Sequence, residues 1–462
     1  MAFDPTIADT RFGCGLSPRI APPSSVDDML DGVTGPDAMA AAFPIEGFDD
    51  FRQRMVAKQA LEKQRRKIRN TPEGQVLTKE IKLLQRDARE ESMQWMAAHI
   101  LRRVNTQTPL RERLVFFWAD HFTATGKAGI IRRGTSPYMQ SALRPLIAGR
   151  FEDLLVAAVT HPLMQQYLDQ HISSGPNAPF TQGKPAKRGM NENLAREILE
   201  LHTLGADGPY TQDDVRELAE LLTGLTFDAK SGRKFRKNMA EPGAETVLGQ
   251  SYGGDGAAHI RDIEAALRDI ANHPAVADHM AWKLAVHFLS DQPPPDLVAA
   301  VAAAWRESAG DLPTVYAALL NHPAAWTPGR RNVKPPFDFI ASACRALDMS
   351  AAALTELREN PFRQRFVLPM RHMGHTWQKP DGPDGLPEED SAWITPQAMA
   401  ARLQWAVTMP QMLMPALPDP RRFVDVALGP DVPEAVRFAA GAAESVADGV
   451  GLVLASPAFQ RV

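Results

Sequence analysis

The stretch Asn191-Glu-Asn-Leu-Ala-Arg-Glu-Ile-Leu-Glu-Leu-His-Thr-Leu-Gly205 decides the fold class. Apolar residues recur along it at helical spacing, at Leu194, Ile198 and Leu201. Asn191 is placed to cap the first turn, and Gly205 is placed to end the helix in a left-handed conformation. The stretch therefore predicts an amphipathic α-helix, which we call the central helix.

The central helix carries more ionisable side chains than its apolar stripe explains. At about 100° per residue, Asn193, Arg196 and Glu200 share the polar side. Glu197 and His202 instead fall between apolar positions and are predicted to face protein. A buried carboxylate needs a donor, a cation or a proton. A functional site and a core ion pair both satisfy that need, so both alternatives stay open.

A second candidate group lies at the end of an aromatic helix. Pro109 is suited to a first helical turn, and Phe117, Trp118 and His121 follow on one face. Asp120 stands beside His121, and a loop with a glycine follows. A hydrogen-bonded core histidine is the simpler interpretation, and a base or metal ligand is the alternative.

We predict that these two helices form a polar pocket in an enzyme or ligand-binding protein. A divalent metal is one alternative, because Glu197 and Glu200 are three residues apart and can share an ion with His121. No nucleophile triad, phosphate loop or zinc spacing stands out. The metal and any cofactor therefore stay unknown. The predicted catalytic residues are Glu197, Glu200, His202 and His121.

Two long irregular segments are predicted to border this pocket. Residues 172–190 are rich in Ser, Gly, Pro and Lys and lead into the central helix. Residues 371–396 are too long for an ordinary connection, and either a binding loop or a cover for the core fits them. In the binding alternative Trp377 stacks and Asp381 makes a polar contact. The predicted ligand-binding residues are Asn191, Asn193, Arg196, Asp120, Trp377 and Asp381.

Three junctions share a His-Pro pair, at His161, His273 and His322. Proline is preorganised for a helix start, so each junction predicts a corner between two helices. We leave these histidines out of the predicted site.

The whole chain has the composition of a large helical protein. Its 462 residues, 44% hydrophobic and 23% charged, suit one large helical domain or two ordinary ones. No stretch alternates convincingly as a strand, so we predict an all-α, bundle-like fold with long irregular loops. Residues 1–228 and 257–462 form the two predicted halves, packed as one unit, and residues 229–256 form an irregular connector. The two cysteines read as isolated thiols.

The charge and hydropathy of the chain limit the classes of partner that the sequence predicts. A net charge of -4 and a pI near 6.3 give no overall attraction to nucleic acid or anionic lipid, so either would need a local patch. The basic helix at residues 49–70 reads as a solvated face, with an anionic partner as the alternative. Apolar stretches such as residues 297–305 are too short to span a bilayer. The first twenty residues lack a signal-peptide pattern, which favours a cytoplasmic location.

Several stretches carry a resemblance to a known family. They include Arg11-Phe-Gly-Cys-Gly, Leu110-Arg-Glu-Arg, Phe117-Trp-Ala-Asp-His-Phe, Tyr167-Leu-Asp, the central helix, Tyr210-Thr-Gln-Asp-Asp-Val, Gly310-Asp-Leu, Pro380-Asp-Gly and Leu454-Ala-Ser-Pro-Ala-Phe-Gln. Through them the sequence resembles the domain of unknown function 1800 family of bacterial proteins over nearly its whole length. The resemblance implies a mostly helical protein and assigns no reaction. It also implies a partner from the domain of unknown function 1501 family, whose members resemble alkaline phosphatases, and a route to the periplasm with that partner. A non-enzymatic scaffold or assembly role is therefore the second functional hypothesis. Family members often read Trp-His-x-His-Phe where this chain has Trp118-Ala-Asp-His-Phe, which weakens a multi-histidine metal site.

Overall fold

Helices dominate the structure, as the sequence predicts. The computed structural model describes residues 3–182, 189–329 and 331–462, and 62% of it is helical. Residues 183–188 of the predicted loop at 172–190 therefore lie outside the described residues. No helix in the described ranges is long and apolar enough to cross a membrane.

The α-helices before the strands are α1 Pro5–Thr10, α2 Val26–Thr34, α3 Ala38–Ala42, α4 Phe48–Lys67, α5 Pro72–Asn105, α6 Pro109–His121, α7 Thr135–Tyr138, α8 Phe151–Val159, α9 Pro162–Tyr167, α10 Asn193–Glu197 and α11 Gln212–Leu221. Those after the strands are α12 Ile260–Ala271, α13 Pro274–Phe288, α14 Pro295–Ser308, α15 Leu312–Asn321, α16 Pro336–Ala346, α17 Ala352–Thr355, α18 Glu359–Phe362, α19 Leu368–His372, α20 Asp390–Trp393, α21 Pro396–Leu413, α22 Pro420–Leu428, α23 Glu434–Ala442, α24 Val446–Ala455 and α25 Pro457–Gln460. Short 3₁₀ segments lie at Gly129–Arg133, Arg144–Leu146, Gln170–Ile172 and Pro323–Trp326, and π-helical segments at Met139–Leu143, Ile198–Thr203 and Arg363–Val367.

Two small antiparallel hairpins correct the all-α prediction. They consist of β1 Leu225–Asp228 with β2 Gly232–Phe235, and β3 Pro242–Val247 with β4 Gln250–Ala257. The predicted irregular connector at 229–256 is therefore largely strand. The β3–β4 turn places Leu248 at φ 49° and Gly249 at φ 78°, the backbone of a tight two-residue hairpin turn. A Leu-Gly turn lacks the Asn-Gly or Asp-Gly pair that would reveal it in the sequence.

The core consists of two hydrophobic clusters that share one helix. The first cluster takes its residues from positions 8–326, and the second from positions 96–104 and 337–459. Helix α5 contributes Trp95 and Ala98 to the first cluster and Ile100 and Leu101 to the second. Helices α12 to α15, which follow the predicted connector, pack within the first cluster. The predicted division at 229–256 stays a prediction.

The central helix is present, but its second half is a wider π-helix. It begins as α10 and continues as the π segment, in which the Leu204 N–H donates to the Leu199 carbonyl five residues back. Each residue of a wider turn rotates through a smaller angle about the helix axis. The side chains of the π segment therefore point in directions that differ from those predicted for a regular α-helix. His202 is fully buried as predicted, whereas Leu201 and Glu197 are half-buried. Gly205 ends the segment at φ 89°, as predicted.

The three His-Pro junctions are helix corners, and each histidine also caps the helix that follows. The Nδ1 atoms of His161, His273 and His322 accept hydrogen bonds from the backbone N–H two residues on, at 3.1, 3.2 and 3.3 Å. An accepting nitrogen is unprotonated, so these rings are neutral when they cap. Burial lowers the pKa of His161 to about 3, which keeps that ring neutral.

We expect His273→Ala to lower the free energy of unfolding by about 1 kcal/mol, the usual cost of losing a helix N-cap. His273→Asn keeps a capping acceptor and serves as the matched control. Urea unfolding of both variants measures the difference. Equal stability of the two variants would show that the histidine caps add nothing.

Candidate functional site

A buried carboxylate between two arginines joins the two hydrophobic clusters. Asp338 on α16 lies 2.6 Å from Nη1 of Arg103 on α5 and 2.9 Å from Nη1 of Arg113 on α6. All three side chains are almost completely buried. Burial raises the pKa of Asp338, but the two guanidinium groups outweigh it and hold the pKa below its ordinary value. Asp338 is therefore ionised, and its single negative charge lies between two guanidinium cations, so the group keeps a net positive charge.

An aromatic wall stands next to this ion pair. The Arg103 guanidinium lies over the rings of Phe116 and Phe337, 4.4 and 5.1 Å from their centroids. The two rings stack at 4.6 Å, and Trp377 stacks on Phe337 at 4.8 Å. Stacking and cation–π contacts both favour this arrangement. The wall presents flat apolar surface beside a buried cation.

The aromatic wall and the ion pair line a cavity. It has a volume of about 80 Å³, enough for several water molecules or a small organic group. The surface of its lining is mostly apolar, and its polar groups come from α5, α6, α7, α13, α16 and residues 123–125 and 375–388. The ionisable or polar lining residues are Arg103, Arg113, Asp120, Thr123, Thr125, Thr135, His287, Asp338, His375, Thr376, Gln378, Lys379 and Glu388.

Asp120 is the acidic group at the end of α6. The Leu386 N–H lies 3.0 and 3.1 Å from its two carboxyl oxygens. Burial and, less strongly, the charge of Glu388 raise the pKa of Asp120 to about 8, against the opposing effects of the Leu386 N–H and Lys283. Asp120 therefore holds a proton at neutral pH.

Glu388 forms a second acidic centre, paired with a histidine. His287 Nδ1 lies 3.2 Å from both carboxyl oxygens of Glu388, and His287 Nε2 lies 3.3 Å from Arg113 Nη2. Because a guanidinium only donates, Nε2 accepts and Nδ1–H donates to Glu388. Burial raises the pKa of Glu388, but His287, Lys283 and Arg113 outweigh it and hold the pKa below its ordinary value. Glu388 is therefore ionised.

Of the predicted ligand-binding residues on α6 and in the loop at 371–396, only some lie at the cavity. Asp120 and Trp377 line the cavity, whereas Asp381 is exposed and does not. His121, next to Asp120, faces the other side of α6, where its Nε2 lies 3.1 Å from the His202 carbonyl. The rings of His121 and His202 are 5.9 Å apart. Burial lowers the pKa of both histidines, that of His202 to about 3, so both are neutral.

The polar residues of the central helix lie apart from the cavity. Arg196 forms ion pairs with Glu200 at 3.1 Å and Glu192 at 3.3 Å. Burial raises the pKa of Glu197 to about 7, and the charge of Glu200 adds to that effect. The structure thus brings His121 to His202 and Glu197 to Glu200, but none of these four lines the cavity. Their catalytic role stays a prediction.

Asn191 and Asn193 lie at the start of the central helix, where Asn191 has a local structural role. The Asn191 side chain accepts from the Asn193 N–H at 3.0 Å and donates to the Leu168 carbonyl at 2.9 Å. It therefore supports the first turn from one residue before the N-cap of α10, which is Glu192 and not Asn191 as predicted. The Asn193 side chain is exposed. Ligand binding by either residue stays a prediction.

The ligand atoms that could hold a metal gather elsewhere. Within the described residues, the carboxylates of Glu217, Glu220 and Glu245 lie within 4.8 Å of one another, and Glu197, Glu200 and His121 do not come together in this way. Burial raises the pKa of Glu245 to about 8, and the neighbouring charge of Glu220 adds to it. A proton held between Glu245 and Glu220 therefore relieves their repulsion without an ion.

Sequence reasoning missed most of the polar groups of the cavity. One available signal was the run Arg111-Glu-Arg113 on an otherwise apolar helix, because buried charges require partners. Another was the spacing of Lys283 and His287, four residues apart on α13. Glu388 and Asp338 carry no local signal, since only the fold brings them to α6.

The fold and the cavity define a mostly helical protein with a polar cavity where two hydrophobic clusters meet. The family model described as protein of unknown function (DUF1800) matches residues 11–461. The chain belongs to this family, in agreement with the resemblance read from its motifs. Neither a curated protein nor a solved structure matches the chain.

We expect Asp338→Ala to lower the free energy of unfolding by about 3–5 kcal/mol, because it leaves the buried Arg103 and Arg113 without a counter-charge. Asp278→Ala removes a carboxylate from an exposed ion pair with Arg306 and should cost at most about 1 kcal/mol. Guanidinium unfolding of both variants measures the contrast. If both variants lost a similar free energy of unfolding, the buried ion pair would contribute no more to stability than an exposed one.

We expect the free energy of unfolding of the unchanged chain to fall as the pH rises, when it is compared at each pH with that of Asp120→Asn. The pKa of Asp120 is 3.8 ordinarily and about 8 when folded, so the folded state binds the extra proton between these values. The stability from protonated Asp120 is complete below the ordinary pKa and is lost as the pH rises through about 8. Urea unfolding from pH 5 to pH 9 tests this, with exposed Asp381→Asn as control. A pH-independent difference would contradict the raised pKa.

Proposed function

We propose that the chain is an enzyme whose active site is the cavity between Asp120 and Glu388. Asp120 acts as the general acid, and Glu388, oriented by His287, acts as the general base. The proposal rests on one observation: two carboxyl groups of the same cavity have opposite environments, one held by a backbone N–H and one held by a histidine and cations. Paired groups of opposite protonation are typical of acid–base sites.

The geometry around Glu388 supports a fixed base. His287 donates to Glu388 from Nδ1 and accepts from Arg113 at Nε2, so both ring nitrogens are engaged. Arg113 is held in turn by Asp338. This chain of contacts fixes the orientation of the carboxylate, and a base is effective when it is held in the position from which it takes the proton.

The aromatic wall supports a ligand with a flat apolar face. Trp377 contributes stacking surface, and its Nε1–H donates to no residue in the described part of the chain. Nε and Nη2 of Arg103 are likewise buried without an acceptor among those residues. A ligand that stacks on the wall and offers an oxygen acceptor would satisfy these donors. The apolar lining and the small volume suit a small molecule.

An assembly role is the second candidate, and exposed apolar side chains favour it. Phe438 on α23 is 75% exposed, and Leu403 on α21 and Leu452 on α24 are also exposed. Helix α24 packs against both α21 and α23, and exposed apolar surface is typical of protein contacts. The partner would resemble the domain of unknown function 1501 family, and export with it is the alternative to a cytoplasmic location. Phe438→Glu should then abolish co-purification of such a partner.

We expect the chain to convert a small molecule from a metabolite extract, and Glu388→Gln or Asp120→Asn to slow that conversion by about a hundredfold or more. Mass spectrometry of extracts with each purified protein measures it. Asp381→Asn removes an exposed carboxylate from the same loop and should leave the rate unchanged.

The rate should fall as the pH rises through about 8, because Asp120 then loses its proton. Conversion that survives in both cavity variants would contradict the proposed site. If Glu197→Ala and His202→Ala stopped it while the cavity variants did not, the site would lie at the central helix.

A further inference from the structure

Helices α4 and α5 form a long hairpin that extends from the rest of the protein. The two helices pack against each other, and residues 68–71 connect them. Between positions 52 and 94 nearly every side chain is exposed or half-buried, and the buried residues there are Gly74, Ile81 and Ala88. Most of the residues that helix α5 buries in the core lie from Trp95 onward, and Ala88 is the earlier member of the first hydrophobic cluster. The connected end, residues 63–83, is called the hairpin tip below.

The hairpin tip concentrates positive charge. No ion pair or side-chain hydrogen bond engages these cations in the part of the chain that the structure describes. Toward the base of the hairpin the cations are paired instead, as Lys58 is with Glu62 at 2.6 Å and Arg89 with Glu359 at 2.7 Å. The tip cations are Lys63, Arg65, Arg66, Lys67, Arg69, Lys79 and Lys82, and the acidic residues among them are Glu73 and Glu80.

Aliphatic side chains lie among these cations. Val76 is 54% exposed and Leu83 is 48% exposed, and their spacing of two helical turns places them on one outward face of α5. Between the ends of the two helices a groove of about 460 Å³ opens, with Ile68, Val76 and Leu77 along it and Lys67 at its edge. The tip therefore combines an apolar surface with a surrounding set of flexible cations.

We propose that the hairpin tip docks on the surface of an anionic phospholipid bilayer. Aliphatic side chains can enter the boundary between headgroups and acyl chains, while long basic side chains reach the lipid phosphates. The net charge of the whole chain is -4, so attraction to anionic lipid is confined to the tip. This proposal is independent of the proposed function.

The composition of the hairpin favours a bilayer over a nucleic acid. Residues 52–94 contain no Phe, Trp, Tyr or His, so the hairpin has no ring on which a base could stack. Contacts to nucleic-acid phosphates would use the cations alone and would leave Val76 and Leu83 exposed. A bilayer uses both kinds of side chain.

The test is sedimentation of the full chain with vesicles of phosphatidylcholine, with and without phosphatidylglycerol. We expect binding to the anionic vesicles only, weakened by salt. The combined variant Arg65→Glu, Arg66→Glu and Lys67→Glu should bind at least about a hundredfold more weakly, because each basic residue contributes about fivefold. Val76→Asp with Leu83→Asp should also weaken binding, by about tenfold.

The matched control is Arg421→Glu with Arg422→Glu, which reverses two exposed arginines on α22 and should leave binding unchanged. Equal binding to both vesicle types, or equal loss in the control, would overturn the proposal. A third result would also overturn the proposal: the unchanged chain binds duplex DNA but no vesicles, and the variant with Val76→Asp and Leu83→Asp still binds the DNA. If the triple variant fails to fold, two other measurements test the proposal. They are the salt dependence of vesicle binding by the unchanged chain and the vesicle binding of the variant with Val76→Asp and Leu83→Asp.

Discussion

The ion pair of Asp338 with Arg103 and Arg113 is the constraint on which the arrangement of the two clusters depends. Burying the Asp338 carboxylate is unfavourable unless cations offset its charge. Its pairing with Arg103 and Arg113 therefore favours the register in which α5, α6 and α16 pack together. Arg345 extends this arrangement, since it donates to the carbonyls of Arg103 and Thr106 at the end of α5. The cavity lies where these elements meet.

Buried arginines also hold other helix ends. Arg111 donates to the Gly32 and Val33 carbonyls at the end of α2, and Arg11 donates to the Ala325 and Thr327 carbonyls. The last carbonyls of a helix have no intrahelical donor and carry partial negative charge, so a cation stabilises them. This explains why a helical core contains so many guanidinium groups.

Helix α5 connects the two regions for which we propose functions. Its first turns form part of the hairpin tip, and Arg103 near its other end lines the cavity. At 1.5 Å per residue these points are roughly 45 Å apart. A continuous helix of this length is held by its packing in the core and by its pairing with α4. Docking of the tip would therefore place the cavity at a set distance from a lipid surface.

The sequence by itself determined the helical character of the chain, the corners at the three His-Pro pairs, the inward direction of His202 and the presence of Asp120 and Trp377 near a loop of irregular structure. These follow from local spacing and from proline geometry. Only the tertiary structure decided the π-helical turn, the Leu248-Gly249 hairpin and the set of charges that meet at the cavity. The reason is physical: Arg103, Asp338 and Glu388 are far apart in the chain, and long-range packing and desolvation select their partners, not the residues beside them.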